Sequence, residues 1–222
     1  MTLLEAITAR HSVRSFTSQV IEPDKVEALT HVIKQCNEES GMHIQLVTDE
    51  PRAFGNVLTH YGAFRGVTDY IALVGPDDKL LSENAGYYGE RIVLEAQCLG
   101  LNTCWVALTY SKSRSRVVVG DGEKLSCVIA LGYGTTQGHA HHIKSFEQVA
   151  RVTGAVPEWF RHGVEAALLA PTAVNQQQFR FTLVDENKVK AEARFGFFSK
   201  VDLGIVKLHF EIGAGKSNFT WI

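Results

Sequence analysis

This sequence has no basic tract of the kind that follows a nucleic-acid backbone; its Lys/Arg and Asp/Glu residues are interspersed and the formal net charge is -2. Nucleic acid is therefore not an expected partner. No window approaches the roughly 18 uncharged apolar residues that a membrane span needs, and no cationic stretch followed by an apolar run opens the sequence. A cytoplasmic protein away from membranes is expected. The cysteines Cys36, Cys98, Cys104 and Cys127 form no Cys-x-x-Cys pair, so in a reducing compartment they read as thiols that serve as small core residues. There is no Gly-x-Ser-x-Gly, and no base is evident for Cys104, which argues against a nucleophilic enzyme. His139-Ala140-His141-His142 carries imidazoles that suit zinc, copper or nickel, yet no second ligand cluster accompanies it, so no metal site is assigned. Gly213-Ala214-Gly215-Lys216-Ser217 echoes a phosphate loop but ends a helical pattern where that motif begins one.

What is present is a chain of 222 residues with 45% hydrophobic content, enough for one large core or two small ones. Thr2 followed by Glu5 has capping-box spacing and opens a first helix along Leu3, Leu4 and Ile7. Glu22-Pro23-Asp24 starts a second, because proline fits the first turn and carboxylates complement the dipole there. Met42 to Thr48 alternates as a strand, and Tyr70 to Val74 reads as a short apolar strand. Glu83 to Leu99 is an amphipathic helix stopped by Gly100, followed by an extended segment from Thr103 to Leu108. Leu125 to Leu131 is continuous enough in apolar residues to be a buried central strand.

After a polar connector from Thr135 to Ser145 the pattern restarts. Pro157 to Leu169 reads as a helix, Arg180 to Val184 as a strand, Asp185-Glu186-Asn187 as a turn, and Val201 to Ile212 as a helix closed by Gly213 and Gly215. The order matches the first part. Gly89, Gly100 and Trp105 correspond to Gly204, Gly215 and Trp221, and the two glycine pairs have the same spacing. An internal duplication is expected.

Two segments carry chemistry. Arg10 to Phe16, Arg-His-Ser-Val-Arg-Ser-Phe, is a cationic, hydroxyl-bearing cluster at the end of the first helix; arginines there also complement a helix C-terminus without any ligand. Ala170 to Phe181, Ala-Pro-Thr-Ala-Val-Asn-Gln-Gln-Gln-Phe-Arg-Phe, leaves a helix at Pro171, which frees backbone groups to face a ligand or makes an ordinary helix-to-strand loop. Together they resemble the two signatures of the nitroreductase family of flavin enzymes, an Arg-Arg-Ser-Val-Arg-like opening and an Ala-Pro-Ser-x-x-Asn-x-Gln-Pro-Trp-like segment. Gly100-Leu101-Asn102-Thr103-Cys104-Trp105 is similar to the family's Gly-Leu-Gly-Thr-x-Trp run. The family usually holds both signatures in one N-terminal span, whereas here they lie far apart, and Gln178-Phe179 replaces its Pro-Trp.

The resemblance implies an α+β fold with a central, largely antiparallel sheet flanked by helices, binding flavin mononucleotide (FMN). In the family the FMN lies at a dimer interface, with one signature from each subunit. The displaced motif then implies two fused half-repeats, residues 1–145 and a shorter 146–222, that look like halves of one site, as in the single-chain tandem branch. One FMN per chain and a monomer are expected, with a homodimer as the alternative state. By resemblance, Arg10, Ser12 and His11 serve the phosphate and Arg14 the ring edge near N1 and O2. Pro171, Thr172, Asn175 and Gln177 line the flavin, whose O2, N3-H and O4 an amide can match. Ala107 and Leu108 offer backbone N-H groups to N5, and Lys144, or else His142, adds a cation for the phosphate. The implied activity is ping-pong transfer of hydride from NADH or NADPH through FMN to a nitroaromatic, a quinone or a similar conjugated acceptor, with no obligatory side-chain acid or base. A flavin storage or sensing module without turnover, and a scaffold that has lost flavin, are the alternatives.

Overall fold

The computed structural model describes residues 1–55 and 63–222. They form two compact units: Arg10–Leu81 with Ile92–His139, and Met1–Ala9 with Ser82–Arg91 and Ala140–Ile222.

In the first unit, helix α2 (Pro23–Ser40) begins at the expected proline and ends at Gly41, whose φ of 70° supplies the left-handed cap. Asn37 closes the corner, its side chain accepting from the Ile44 N-H at 2.8 Å and donating to the Ile44 carbonyl at 3.0 Å. The chain then enters a four-stranded antiparallel sheet of order β1-β2-β4-β3, with β1 at Gln45–Val47, β2 at Asp69–Pro76, β3 at Asn102–Val106 and β4 at Glu123–Gly132. The Leu125–Leu131 run lies within β4, between β2 and β3, which is why it reads as continuously apolar. The strand expected over Met42–Thr48 is shorter than its alternation suggested. Met42 and Ile44 are buried and the His43 N-H donates to the Val74 carbonyl at 2.9 Å, but the strand itself is confined to Gln45–Val47. The core of this unit gathers Val13, Phe16, Phe54, Tyr70, Val74, Val106 and Val128.

In the second unit, α1 (Leu3–Ala9) carries the capping box: the Thr2 N-H donates to Glu5 at 2.8 Å and the Glu5 N-H to the Thr2 hydroxyl at 3.3 Å. Residues 82–91 of helix α3 (Leu81–Cys98), the short α4 (Phe146–Val149), α5 (Glu158–Leu168) and α6 (Ser199–Ala214) complete its helices. A second four-stranded sheet has the order β5-β6-β7-β8, with β5 at Ala150–Arg151, β6 at Phe179–Asp185, β7 at Lys188–Ala193 and β8 at Thr220–Trp221. β6 and β7 are an antiparallel hairpin around the expected turn, while β5 and β8 join in parallel. β7 escapes the sequence reading because Lys-Val-Lys-Ala-Glu-Ala has weak strand propensity; pairing with β6 makes it a strand. Phe160, Phe179, Phe181 and Phe210 fill the core here, with Phe181 and Phe210 at 4.6 Å between ring centroids.

The fold is thus α+β, with largely antiparallel pairing and flanking helices, as expected, but divided between two sheets. One terminator is corrected. Gly213 does not close α6 but lies inside it, where a Cβ would sit 2.5 Å from the His162 carbonyl of α5; Gly215 is the cap. Among the described residues no helix is long and apolar enough to cross a membrane.

Candidate functional site

The cluster at Arg10 is not the last turn of a helix. α1 stops at Ala9 and the chain runs extended, bridging Ser12 to Thr103, Ser15 to Arg65 and Phe16 to Gly134, with the Val13 N-H donating to the Thr103 carbonyl at 3.0 Å. An extended backbone has a side-chain period of two, so Arg10, Ser12 and Arg14 share one side. All three act on the buried Cys104 thiol of β3, whose pKa is raised by burial and pulled back by Arg14, the Ser12 hydroxyl and Arg10. The alternate residues meet the Tyr133–Gly138 loop: a Cβ on Gly138 would come within 2.7 Å of His11, and one on Gly134 within 2.7 Å of Val13. Asn102 pins that loop, accepting from the Gly134 N-H at 2.9 Å and donating to Gln137 at 3.0 Å. Arg10 is 3% exposed while Arg14 is open to solvent. Ala107 and Leu108 follow β3 in an irregular turn with Leu108 exposed.

The second predicted segment is a strained loop of the other unit. Beyond Pro171 and Thr172, a turn of 3-10 helix covers Ala173–Asn175, with φ of 46° at Val174, 54° at Asn175 and 47° at Gln177. Left-handed backbone is costly for these residues, above all for a β-branched valine, and persists only where surroundings enforce it. Here they do. The Lys144 ammonium donates to the carbonyls of Gln176 at 2.8 Å and Gln177 at 3.0 Å, and the Gln177 amide accepts from the Lys144 N-H and donates to the His142 carbonyl and to the Asn175 side-chain oxygen. Asn175 in turn donates to the His142 carbonyl at 2.9 Å, which leaves one of its N-H bonds and one oxygen lone pair for a ligand. The Thr172 hydroxyl accepts from the Gln177 N-H at 3.0 Å. Lys144 retains a third N-H, and burial, then Arg194, lowers its pKa. The histidine segment has a structural use in this network: His141 meets the Leu168 carbonyl at 3.0 Å, and the His142 carbonyl takes both amides.

A residue that sequence reasoning missed underlies this loop. Asp202, 2% exposed in the first turn of α6, accepts from the Ala173 N-H at 2.9 Å and the Gln176 amide at 2.8 Å, and the same amide bonds the Phe197 carbonyl at 2.6 Å. In the sequence it is one more carboxylate near a helix start, a position that complements the dipole on any surface helix. Only its burial marks it. Desolvation, opposed by these two donors, pushes its pKa up to about 6. Because the folded-state value lies above the unfolded one, the native state takes up this proton first, so stability rises as pH falls through about 6 and levels off near the ordinary carboxylate value of about 4. The gain is at most ~3 kcal/mol. Urea midpoints of the wild type and Asp202→Asn at pH 7, 6 and 5 check this: the wild type gains on the variant toward low pH, and parallel profiles refute it.

The predicted residues therefore fall into two sets, each brought together within its own unit: Arg10, His11, Ser12 and Arg14 beside β3, and Lys144, Pro171, Thr172, Asn175 and Gln177 in one hydrogen-bonded loop. The donor sets fit the parts of FMN assigned to them. Guanidinium and hydroxyl groups on one edge suit a phosphate, and an amide-rich, non-helical loop suits an isoalloxazine rim.

Comparison with known proteins gives the same direction. The family model described as "Putative TM nitroreductase" matches residues 2–214. The crystal structure of a "putative nitroreductase" from Thermotoga maritima superposes with a TM-score of 0.68 at 20% identity, covering 98% of this chain and 85% of that one. A "putative nitroreductase in complex with FMN" from Desulfovibrio desulfuricans gives 0.52 at 17% identity, covering 67% and 94%. The nitroreductase family protein of Streptococcus pneumoniae gives 0.53 at 15%, covering 67% and 98%. At these identities the likeness is one of fold. No curated protein matches the sequence.

Proposed function

As the chain belongs to the family described as "Putative TM nitroreductase", we propose that it is an FMN-dependent oxidoreductase that takes electrons from NADH or NADPH and passes them to a nitroaromatic, quinone or similar conjugated acceptor. The observation that carries this reading is the enforced strain of the Val174–Gln177 loop, since backbone held in costly conformations by a dedicated network is typical of ligand clamps. FMN, when bound, supplies the two-electron chemistry; the chain binds, orients and tunes. Arg10 and Ser12, with His11 beside them, neutralise the phosphate, and Lys144 adds charge to it. Arg14 places a cation at the ring edge, favouring the more negative reduced form. Pro171, Thr172 and Asn175 present oxygens and an amide N-H to the ring, Gln177, whose amide N-H groups are taken by His142 and Asn175, holds the loop that lines it, and Ala107 and Leu108 present backbone N-H groups.

The tandem, pseudo-dimeric reading is part of the proposal. α3 and α6 cross with reciprocal contacts in the second unit: a Cβ on Gly86 would collide with the Val201 carbonyl, and one on Gly204 with the Glu83 carbonyl. Each glycine meets the carbonyl three residues before the other, the exchange a two-fold axis produces. This pairs Gly204 with Gly86, where the sequence comparison had paired it with Gly89. On this proposal the protein is a cytoplasmic monomer that holds one FMN.

An absorbance spectrum of the purified protein from 300 to 600 nm, with released flavin counted per chain and mass measured in solution, tests this. About one flavin per monomer, bleached by NADH or NADPH, is expected. A colourless protein that takes up no added FMN, or flavin reducible only by dithionite, refutes the enzyme. Arg14→Ala is expected to weaken FMN binding about tenfold or more and to lower its reduction potential. Unchanged affinity and potential would remove Arg14 from the site.

A further inference from the structure

One face of the second sheet has no part in the residues assigned above. The register sets Arg180 opposite Glu192 and Phe181 opposite Ala191, and places Arg151 beside Thr182 and Ala150 beside Phe181. Since Phe179, Phe181 and Ala150 are buried, Arg151, Arg180, Lys190 and Glu192 lie on the outer face, which Arg194 continues. Lys190 pairs with Glu192 at 2.8 Å. Among the described residues Arg151, Arg180 and Arg194 enter no ion pair within 4 Å; Arg180 is lowered in pKa by partial desolvation and then by Arg151 and Arg194, against the opposing pull of Glu192, the one carboxylate of this face, which Lys190 already engages. In a chain of net charge -2 this is a local cluster of three guanidinium groups.

The same edge carries exposed aromatic rings. Phe195 is 101% and Phe197 78% exposed, although the segment is tied down, with the Arg194 N-H donating to the Gln178 carbonyl at 2.8 Å and the Gln176 amide to the Phe197 carbonyl at 2.6 Å. Leaving each ring in water forgoes roughly 1.5–3 kcal/mol of burial, which marks the pair as a contact surface. Flat apolar faces beside a fork-bearing cationic cluster suit one chemistry in particular, a diphosphate that carries a planar base.

We propose that the outer face of β5-β6-β7, with Arg151, Arg180 and Arg194 beside Phe195 and Phe197, binds the adenosine diphosphate end of the dinucleotide that donates the electrons. The guanidinium groups hold the phosphates and a phenyl ring stacks on the adenine. Its place next to the strained loop through Gln176 and Gln178 puts this end of the donor near residues assigned to the ring. The donor's role rests on the reading of the chain as a flavin enzyme; the binding itself does not.

The test is calorimetric titration with ADP-ribose and 2′-phospho-ADP-ribose, which contain the phosphates and the base but no nicotinamide. The wild type is expected to bind at least one of them, more weakly as salt rises. R180A/R194A and Phe195→Ser/Phe197→Ser are each expected to weaken binding by about tenfold or more. All four positions are exposed or half-exposed, so unchanged melting curves confirm that the variants fold. A wild type that binds neither compound at several millimolar, or variants that bind as it does, overturn the proposal. FMN titration of the same samples separates the two readings. FMN bound without ADP-ribose overturns only this surface, and ADP-ribose bound and lost in the variants, without FMN, overturns only the flavin enzyme.

Discussion

Gly204→Ala lowers the melting temperature by roughly 4–8 °C, because the larger of two opposing effects of the substitution exceeds the other by about 2 kcal/mol. In a solvent-facing helix, alanine is better than glycine by about 1 kcal/mol. At Gly204 the new methyl would overlap the Glu83 carbonyl and lie 2.6 Å from the Tyr87 nitrogen, backbone atoms that no side-chain rotation can move. Helices α3 and α6 must separate, and overpacking of this kind costs about 3 kcal/mol or more. The consequence reaches the site. Asp202 stands two residues before Gly204 on α6, so a shifted helix withdraws the carboxylate that holds Ala173 and Gln176. The variant is therefore expected to lose FMN affinity as well as stability. Calorimetry with FMN titration checks both, and an unchanged or higher melting temperature would contradict the close crossing.

His209→Ala is expected to cost about 3–5 kcal/mol, the loss seen when one member of a buried ionic or proton-sharing pair is removed. His209 and Glu90 are both fully buried, with Nε2 and Oε1 2.8 Å apart, and His209 Nδ1 meets the Ala166 carbonyl at 3.1 Å. A carbonyl only accepts, so Nδ1 donates to Ala166 while Nε2 meets the Glu90 carboxyl. His209 thereby links α3, α5 and α6. Glu90→Ala should cost a similar amount. Glu90→Leu/His209→Phe, which removes both members of the pair together, should cost less than the sum of the two single losses. Urea denaturation of the set decides: strict additivity would mean the two residues act independently.

Much of the architecture was legible in the sequence where the determining interactions are local. The Thr2–Glu5 box, the proline start of α2, the end of α3 near Gly100 and the buried character of β4 are settled by residues a few positions apart or by one uninterrupted run. β7 and the true extent of β1 were not legible, because each is a strand by virtue of a partner. Gly213 was misread for a related reason. A glycine near the end of a helical pattern signals a cap, but here it answers the approach of the His162 carbonyl from another helix.

The candidate site divides along the same line. By itself the sequence determined which chemistry is available: cations and hydroxyls at Arg10, Ser12 and Arg14, amides at Asn175 and Gln177, and a proline that ends the helix before them. It also determined the family, because these groups sit in recognisable strings. Only the tertiary structure decided that the Arg10 cluster is extended, with its polar groups on one edge against Cys104, since the bridge to Thr103 sets that conformation. Only the tertiary structure picked Asp202 out of the carboxylates, drew Lys144 and His142 into the Val174–Gln177 loop, and gathered Arg151, Arg180 and Arg194 beside two exposed rings. Residue type and short spacing record what a group can do, whereas burial and register, which decide what it does, depend on contacts between segments remote in the chain.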